Sequence, residues 1–261
     1  MRAIDVSAFV GGYPYRHLDD PSPAWLLKQM DRLAIDQAWV AYLPALLYRD
    51  TGTATPELLR LLKPHKERLL PVPTLHPALP KWEDDLNSAA AAGAPAIRVH
   101  PTWLGIDPAG GEMRVLAAAA GAAGMPILLQ VRMEDLRQRH PLDQAGDLPT
   151  AAVRALVRSD AQVKLIISHA ERSFIEEVHW GLTPEESRRI LWDIAWVWGP
   201  PEDHLALLIE TMGIERFTLG TGMPLRIPDT PFARLDLLDL RNGQRQRILS
   251  GNLQAWREQP A

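Results

Sequence analysis

Eight short apolar runs punctuate this chain, and helical stretches separate them. The runs are Met1–Val6, Gln37–Leu43, Arg68–Leu75, Ala96–His100, Pro126–Val131, Val163–Ser168, Leu191–Val197 and Arg216–Gly220. None has helical spacing, and several are apolar without alternation, as strands buried on both faces of a parallel sheet are. Between them lie helix patterns with start signals, such as Ser22 before Pro23 and Pro56 near the start of Thr55–Pro64. Further helices are expected over Trp82–Ala92, Gly110–Ala123, Thr150–Arg158, Ser173–Val178, Pro184–Arg189, Pro201–Met212, Thr230–Leu240 and Gln244–Arg257. Eight such alternations in 261 residues match the length and rhythm of an α/β fold of one kind, a (β/α)8 TIM barrel. No linker divides the chain, so a single domain over 1–261 is expected. A doubly wound open sheet competes, but no G-x-G-x-x-G follows a strand and no G-x-x-x-x-G-K-S/T occurs.

Composition narrows the function classes. A net charge of −4 offers no nucleic-acid surface and no attraction to an anionic membrane. The chain has no cysteine, which excludes disulfides, thiolate metal sites and a Cys nucleophile. With no leader pattern and no apolar run of spanning length, a cytoplasmic protein is expected. There is no G-x-S-x-G elbow for a nucleophilic serine.

In a barrel the C-terminal strand ends converge on one mouth. The segment Pro126–Asp135, PILLQVRMED, shows such an end, turning abruptly from apolar to polar. Arg98 and His100 stand two apart on a strand and so face the same side. Arginine offers a fork for a carboxylate or phosphate, and histidine moves a proton near neutral pH. Gln130 and Arg132 repeat that spacing, and Glu134 is a candidate general acid or base. The structural alternatives are a buried Arg98 paired with Glu134 or Asp135, and a salt bridge at a Met133–Leu136 helix start. His169 can be a catalytic base, a relic ligand or a core histidine. His76 ends the third strand, and Arg16 lies in a loop able to cover the mouth and meet an anion. Ser7, Tyr42, Asp193, Thr221 and His140 complete the polar set. Trp192, Trp196 and Trp198 can pack in the core, line a pocket wall or make a homo-oligomer contact.

Four segments in order resemble the amidohydrolase superfamily, in its amidohydrolase-related TIM-barrel branch. They are Ile4–Phe9, Ala96–Pro101, Leu165–His169 and Arg216–Pro224; the ending Ile248–Asn252 is similar to that branch's closing helix. The resemblance implies a divalent metal, of the zinc type, held by a His-x-His pair on strand 1, ligands on strands 4 to 6 and an Asp on strand 8. At those positions this chain has Ser7 and Phe9, then Gln130, then Gly222, and only His169 is a ligand type. A catalytic zinc usually needs about three protein ligands, so no metal cofactor is expected. A rearranged site of His76, His100 and His169 is the alternative.

The resulting expectation is a hydrolase-like protein acting on a small anionic or polar substrate of lactone or amide type, without the metal centre. Arg98, Gln130, Arg132, Arg16 and His76 would bind the substrate; His100, His169 and Glu134 would handle protons. The rival expectation is a non-catalytic small-ligand-binding barrel or an inactive family member.

Overall fold

The computed structural model describes residues 3–197, 203–241 and 243–259. Its eight strands are β1 (Ile4–Val10), β2 (Gln37–Tyr42), β3 (Leu69–Pro71), β4 (Ile97–Val99), β5 (Ile127–Gln130), β6 (Leu165–Ser168), β7 (Ile190–Asp193) and β8 (Phe217–Thr218). Neighbours pair in parallel as β1–β2–β3 and as β4 through β8 in chain order. Backbone bonds join the two sets. Thr74 bridges to Arg98 across the β3–β4 seam. Val6 N–H donates to the Leu219 carbonyl at 3.0 Å and Gly222 N–H to that of Ser7 at 2.8 Å across the β8–β1 seam. The sheet is therefore a closed (β/α)8 barrel, as the rhythm of the sequence implies.

Alternation along each strand sorts the side chains. Ile4, Val6, Trp39, Val72, Ala96, Leu128, Ile166 and Leu191 form one buried apolar layer, closed by Leu253 and Trp256 of the last helix. Residues one step along, such as Ile97, Ile127, Leu165 and Ile190, pack in the larger cluster shared with the surrounding helices. Two steps beyond the apolar layer come the polar residues: Arg98 after Ala96, Gln130 after Leu128, Ser168 after Ile166 and Asp193 after Leu191. All four are buried. Period-two spacing thus converts an apolar barrel floor into a polar mouth.

Several boundaries differ from the sequence reading. β1 runs on to Val10, with a register shift between Asp5 and Ala8, so Ser7 and Phe9 belong to the strand. β3 stops at Pro71 because Pro71 and Pro73 have no N–H to give a ladder. β7 ends at Asp193, whose carboxylate accepts the Ala195 N–H at 3.2 Å and turns the chain. Met133–Leu136 starts no helix; it is irregular loop, with Asp135 bonded to the Arg137 backbone and guanidinium. The helix at 150 has Pro149 as its cap, so Thr150 is its first residue. The closing helix is Gln244–Gln246 and Asn252–Glu258 with a π-helical turn, Arg247–Gly251, between. There Asn252 donates to the Ile214 and Phe217 carbonyls at 2.7 and 2.8 Å, fastening the C-terminal segment to the start of β8. Pro201 and Trp198 lie outside the described residues. No helix among the described residues is long and apolar enough to cross a membrane.

Candidate functional site

At the mouth the polar strand ends bond to one another. Arg98, with no solvent exposure, donates from Nη1 to Gln130 Oε1 at 2.6 Å. Gln130 Nε2 lies 2.9 Å from His169 Nδ1 and donates to the Arg132 carbonyl at 3.2 Å. His169 Nδ1 is also 3.1 Å from that carbonyl. Under this chain the Phe9 ring lies 4.6 Å from the Arg98 guanidinium carbon. β4, β5 and β1, with the residue that follows β6, therefore each contribute one side chain to a connected, buried row.

Two carboxylates shape its far side. Asp5 accepts from the Ser7 and Thr221 N–H groups, each at 3.0 Å, and from the Thr221 hydroxyl at 2.6 Å, tying the β1 bulge to the loop after β8. Burial nevertheless pushes its carboxyl up to about 6. Asp193 accepts from the His169 N–H at 3.2 Å, which holds His169 in a left-handed backbone conformation at φ 58°. Burial raises the Asp193 carboxyl too. Burial pushes Arg98 down to about 10, while Asp193 and Asp5 act to hold it up. Both nearby imidazoles are driven well below their ordinary range: His100 by burial and then Arg98, His169 by burial and then Arg226 and Arg98. They are neutral at pH 7.

The mouth is covered. Phe9, Tyr13, Ala41, Leu43, Leu46, Met133 and Leu225 form a buried apolar cluster, with Tyr15, Leu18 and Trp103 against it. These residues come from β1, β2 and the loops after β1, β2, β4, β5 and β8. The apolar lid has no counterpart in the sequence reading, because its members are scattered one per loop and share no period.

Beside the lid two clefts open. The larger, about 420 Å³, has mixed charge, with Asp19, Asp20 and Asp229 facing Arg16 and Arg32; Arg32 and Asp229 already pair. The second, about 280 Å³, is lined by Arg16, Arg226, Arg234, Trp196, Gln138 and Thr230 among others, and by no carboxylate. Trp196 borders it as a buried residue. The Arg226 guanidinium carbon lies 3.2 Å from the Trp196 ring centre, and the His169 ring is 5.6 Å away, tilted against the same indole. Arg234 donates to the Ile194 carbonyl at 2.7 Å, and Arg16 to the Leu225 carbonyl at 2.6 Å. Burial pushes both Arg226 and Arg234 down to about 10, so they remain cations at neutral pH.

The sequence-predicted residues therefore divide. Arg98, His100, Gln130 and His169 are gathered at the strand ends, but beneath the lid. Arg98 bonds to Gln130, not to Glu134 or Asp135. Arg16 lines both clefts, and its Nε lies 3.3 Å from buried Glu134. Burial raises the Glu134 carboxyl against the pull of Arg16 and Arg226; neither Arg98 nor Arg132 is its partner. Arg132 pairs with Asp147 at 2.8 Å and Glu171 at 3.4 Å, so its guanidinium already has two carboxylates. His76 stands apart, half-buried after β3, and the charge that it feels is that of Asp50. His140 is exposed and tilts on Tyr15. Sequence reasoning missed Arg226 and Arg234. The available signal was an arginine two residues after Pro224, at the end of the β8 motif.

The residues at the ligand positions implied by the resemblance do not fit a divalent metal. Phe9 has no donor atom, and Gln130 is engaged by Arg98 and His169. Gly222 has φ 69°, and a Cβ there would lie 2.6 Å from His169 Nε2, leaving no room for an acid. Among the described residues no three His, Cys, Asp or Glu side chains are grouped to hold an ion; His76 is not drawn to His100 and His169.

No protein-family profile matches the sequence, and no curated protein matches it either. Solved structures do match in shape. One is 2,6-dihydroxybenzoate decarboxylase complexed with 2,6-dihydroxybenzoate, at 13% identity and TM-score 0.76, covering 98% of this chain and 99% of that one. Another is a probable 2-pyrone-4,6-dicarboxylic acid hydrolase from Acinetobacter baumannii with citric acid bound, at 11% identity and TM-score 0.70, covering 98% and 99%. A third is a dihydroxybenzoic acid decarboxylase from Polaromonas sp. JS666 with bound manganese and 2-nitroresorcinol, at 13% identity and TM-score 0.74, covering 98% and 96%. At such identities the likeness establishes the fold: the chain is a (β/α)8 barrel of the shape that these decarboxylases and this hydrolase share.

Proposed function

We propose that this barrel binds a small carboxylate in the cleft between the loops after β1, β7 and β8. The observation that carries this reading is the convergence of Arg16, Arg226 and Arg234 on one cleft without a lining carboxylate. Partly desolvated guanidinium groups gain from an anion with matching fork geometry. The buried Trp196 indole, with Arg226 stacked on its face, holds that guanidinium in place at the cleft. The ligands in two of the solved neighbours, 2,6-dihydroxybenzoate and citric acid, are small carboxylates. Binding without turnover accords with the strand ends, where His100 and His169 are buried.

Thermal shift with 2,6-dihydroxybenzoate, citrate and neutral resorcinol tests the reading. The two carboxylates stabilise the protein and resorcinol does not. Arg226→Ala and Arg234→Ala each weaken carboxylate binding by about tenfold or more, as loss of one charged hydrogen bond requires. Equal shifts by resorcinol, or wild-type affinity in both variants, would sink it.

A second reading, hydrolase-like turnover of a lactone or amide, is favoured by Glu134. Its carboxyl is buried and raised, and it contacts Arg16 at the cleft rim. Wild-type turnover on a lactone and amide panel that falls roughly a hundredfold in Glu134→Gln supports catalysis. No turnover by wild type leaves the binding reading alone.

A further inference from the structure

We propose that the Arg98 guanidinium is the resident cation of this barrel, seated by side chains at the positions where the resemblance implies metal ligands. Two of those positions, Phe9 on β1 and Gln130 on β5, both touch Arg98. Gln130 gives it an oxygen at 2.6 Å, and Phe9 gives it a ring face at 4.6 Å. An amide oxygen and an aromatic face suit a flat, delocalised cation. A divalent ion wants several lone pairs at short range, which this set lacks. Of the other positions, Ser7 has a buried hydroxyl without a hydrogen-bond partner, and Gly222 has no side chain, His169 Nε2 filling the space that one would need.

Charge balance points the same way. Asp5 and Asp193 are buried carboxylates that act on the fully buried Arg98 through space, with no hydrogen bond joining either to its guanidinium, whose Nε and Nη2 have no partner. Arg98 is the cation on which both act; Asp193 also acts on Arg234. The imidazoles beside them are neutral and supply no charge. Removing one partner from a buried charge set is far costlier than removing the whole set. Arg98 is thus seated by the Gln130 oxygen and the Phe9 ring, with the two carboxylates favouring its charged form.

Chemical rescue tests this. Arg98→Ala lowers Tm by roughly 10 °C, the scale expected for losing one partner of a buried ionic group in a chain of this length. Ethylguanidinium restores part of that loss saturably, while ethylammonium and manganese do not. Rescue by none of the three, or equally by ethylammonium or manganese, overturns the proposal. So does a stoichiometric gain of manganese or zinc by the wild-type protein with a rise in Tm. If Arg98→Ala does not accumulate, Arg98→Met replaces it, made in the wild-type and Asp193→Asn backgrounds. A smaller Tm loss in the Asn background supports the charge role; an equal loss in both overturns it.

Discussion

His169 shows how one residue couples backbone, network and charge. Its N–H is held by Asp193, its Nδ1 lies against Gln130 and the Arg132 carbonyl, and its ring lies under Trp196. Burial, with Arg226 and Arg98 nearby, keeps it neutral well below the ordinary imidazole range. The unfolded chain therefore takes up a proton near pH 6.5 that the native protein refuses. Stability from this residue is complete above that pH and is lost as pH falls through it. Asp5 acts in the opposite sense. Its carboxyl, raised from 3.8 to about 6, is protonated first in the native state, so its contribution is full below 3.8 and is lost as pH rises through 6. His169→Asn removes one of these effects. Between roughly pH 7.5 and 5.5 its stability should fall by about 1.4 kcal/mol less than that of wild type, one proton's share over the last pH unit. Denaturant unfolding at the two pH values measures this, and parallel losses in both proteins would contradict it.

At the scale of elements, the loops make a mouth that the strands alone do not. The strand ends supply a polar row, and the loops after β1, β2, β4, β5 and β8 supply an apolar lid over it. Leu225, 5% exposed, belongs to that lid. Leu225→Ala should cost about 3 kcal/mol, within the range for truncating a buried leucine; a loss near zero in urea unfolding would mean that the lid is not packed. The strands were legible in the sequence because apolar runs and their polar ends follow a period of two. Ala96–Arg98–His100 and Leu128–Gln130 each declare a floor residue and a mouth residue. The lid was not legible, since Tyr13, Leu46, Met133 and Leu225 meet only through tertiary folding. Nor was the pairing of Arg132 with Asp147 and Glu171, which ties the loop after β5 to itself and to the loop after β6. Arg98, read from sequence as an anion holder, donates Nη1 to Gln130, while its buried Nε and Nη2 have no hydrogen-bond partner.

For the whole molecule, charge placement matters more than its sum. The net charge is −4, yet Arg16, Arg226 and Arg234 meet in one cleft at the end of the barrel where the strand ends open. The proposed anion site is distinct from the Arg98–Gln130–His169 row, and Trp196 touches both Arg226 and His169. A crystal structure of the protein with 2,6-dihydroxybenzoate separates the two locations directly. The carboxylate is expected against Arg226 and Arg234, with Arg226 still stacked on Trp196 and Arg98 still bonded to Gln130. A carboxylate seated on Arg98 beneath a displaced lid, or no ligand in the arginine cleft at saturating concentration, would contradict this expectation.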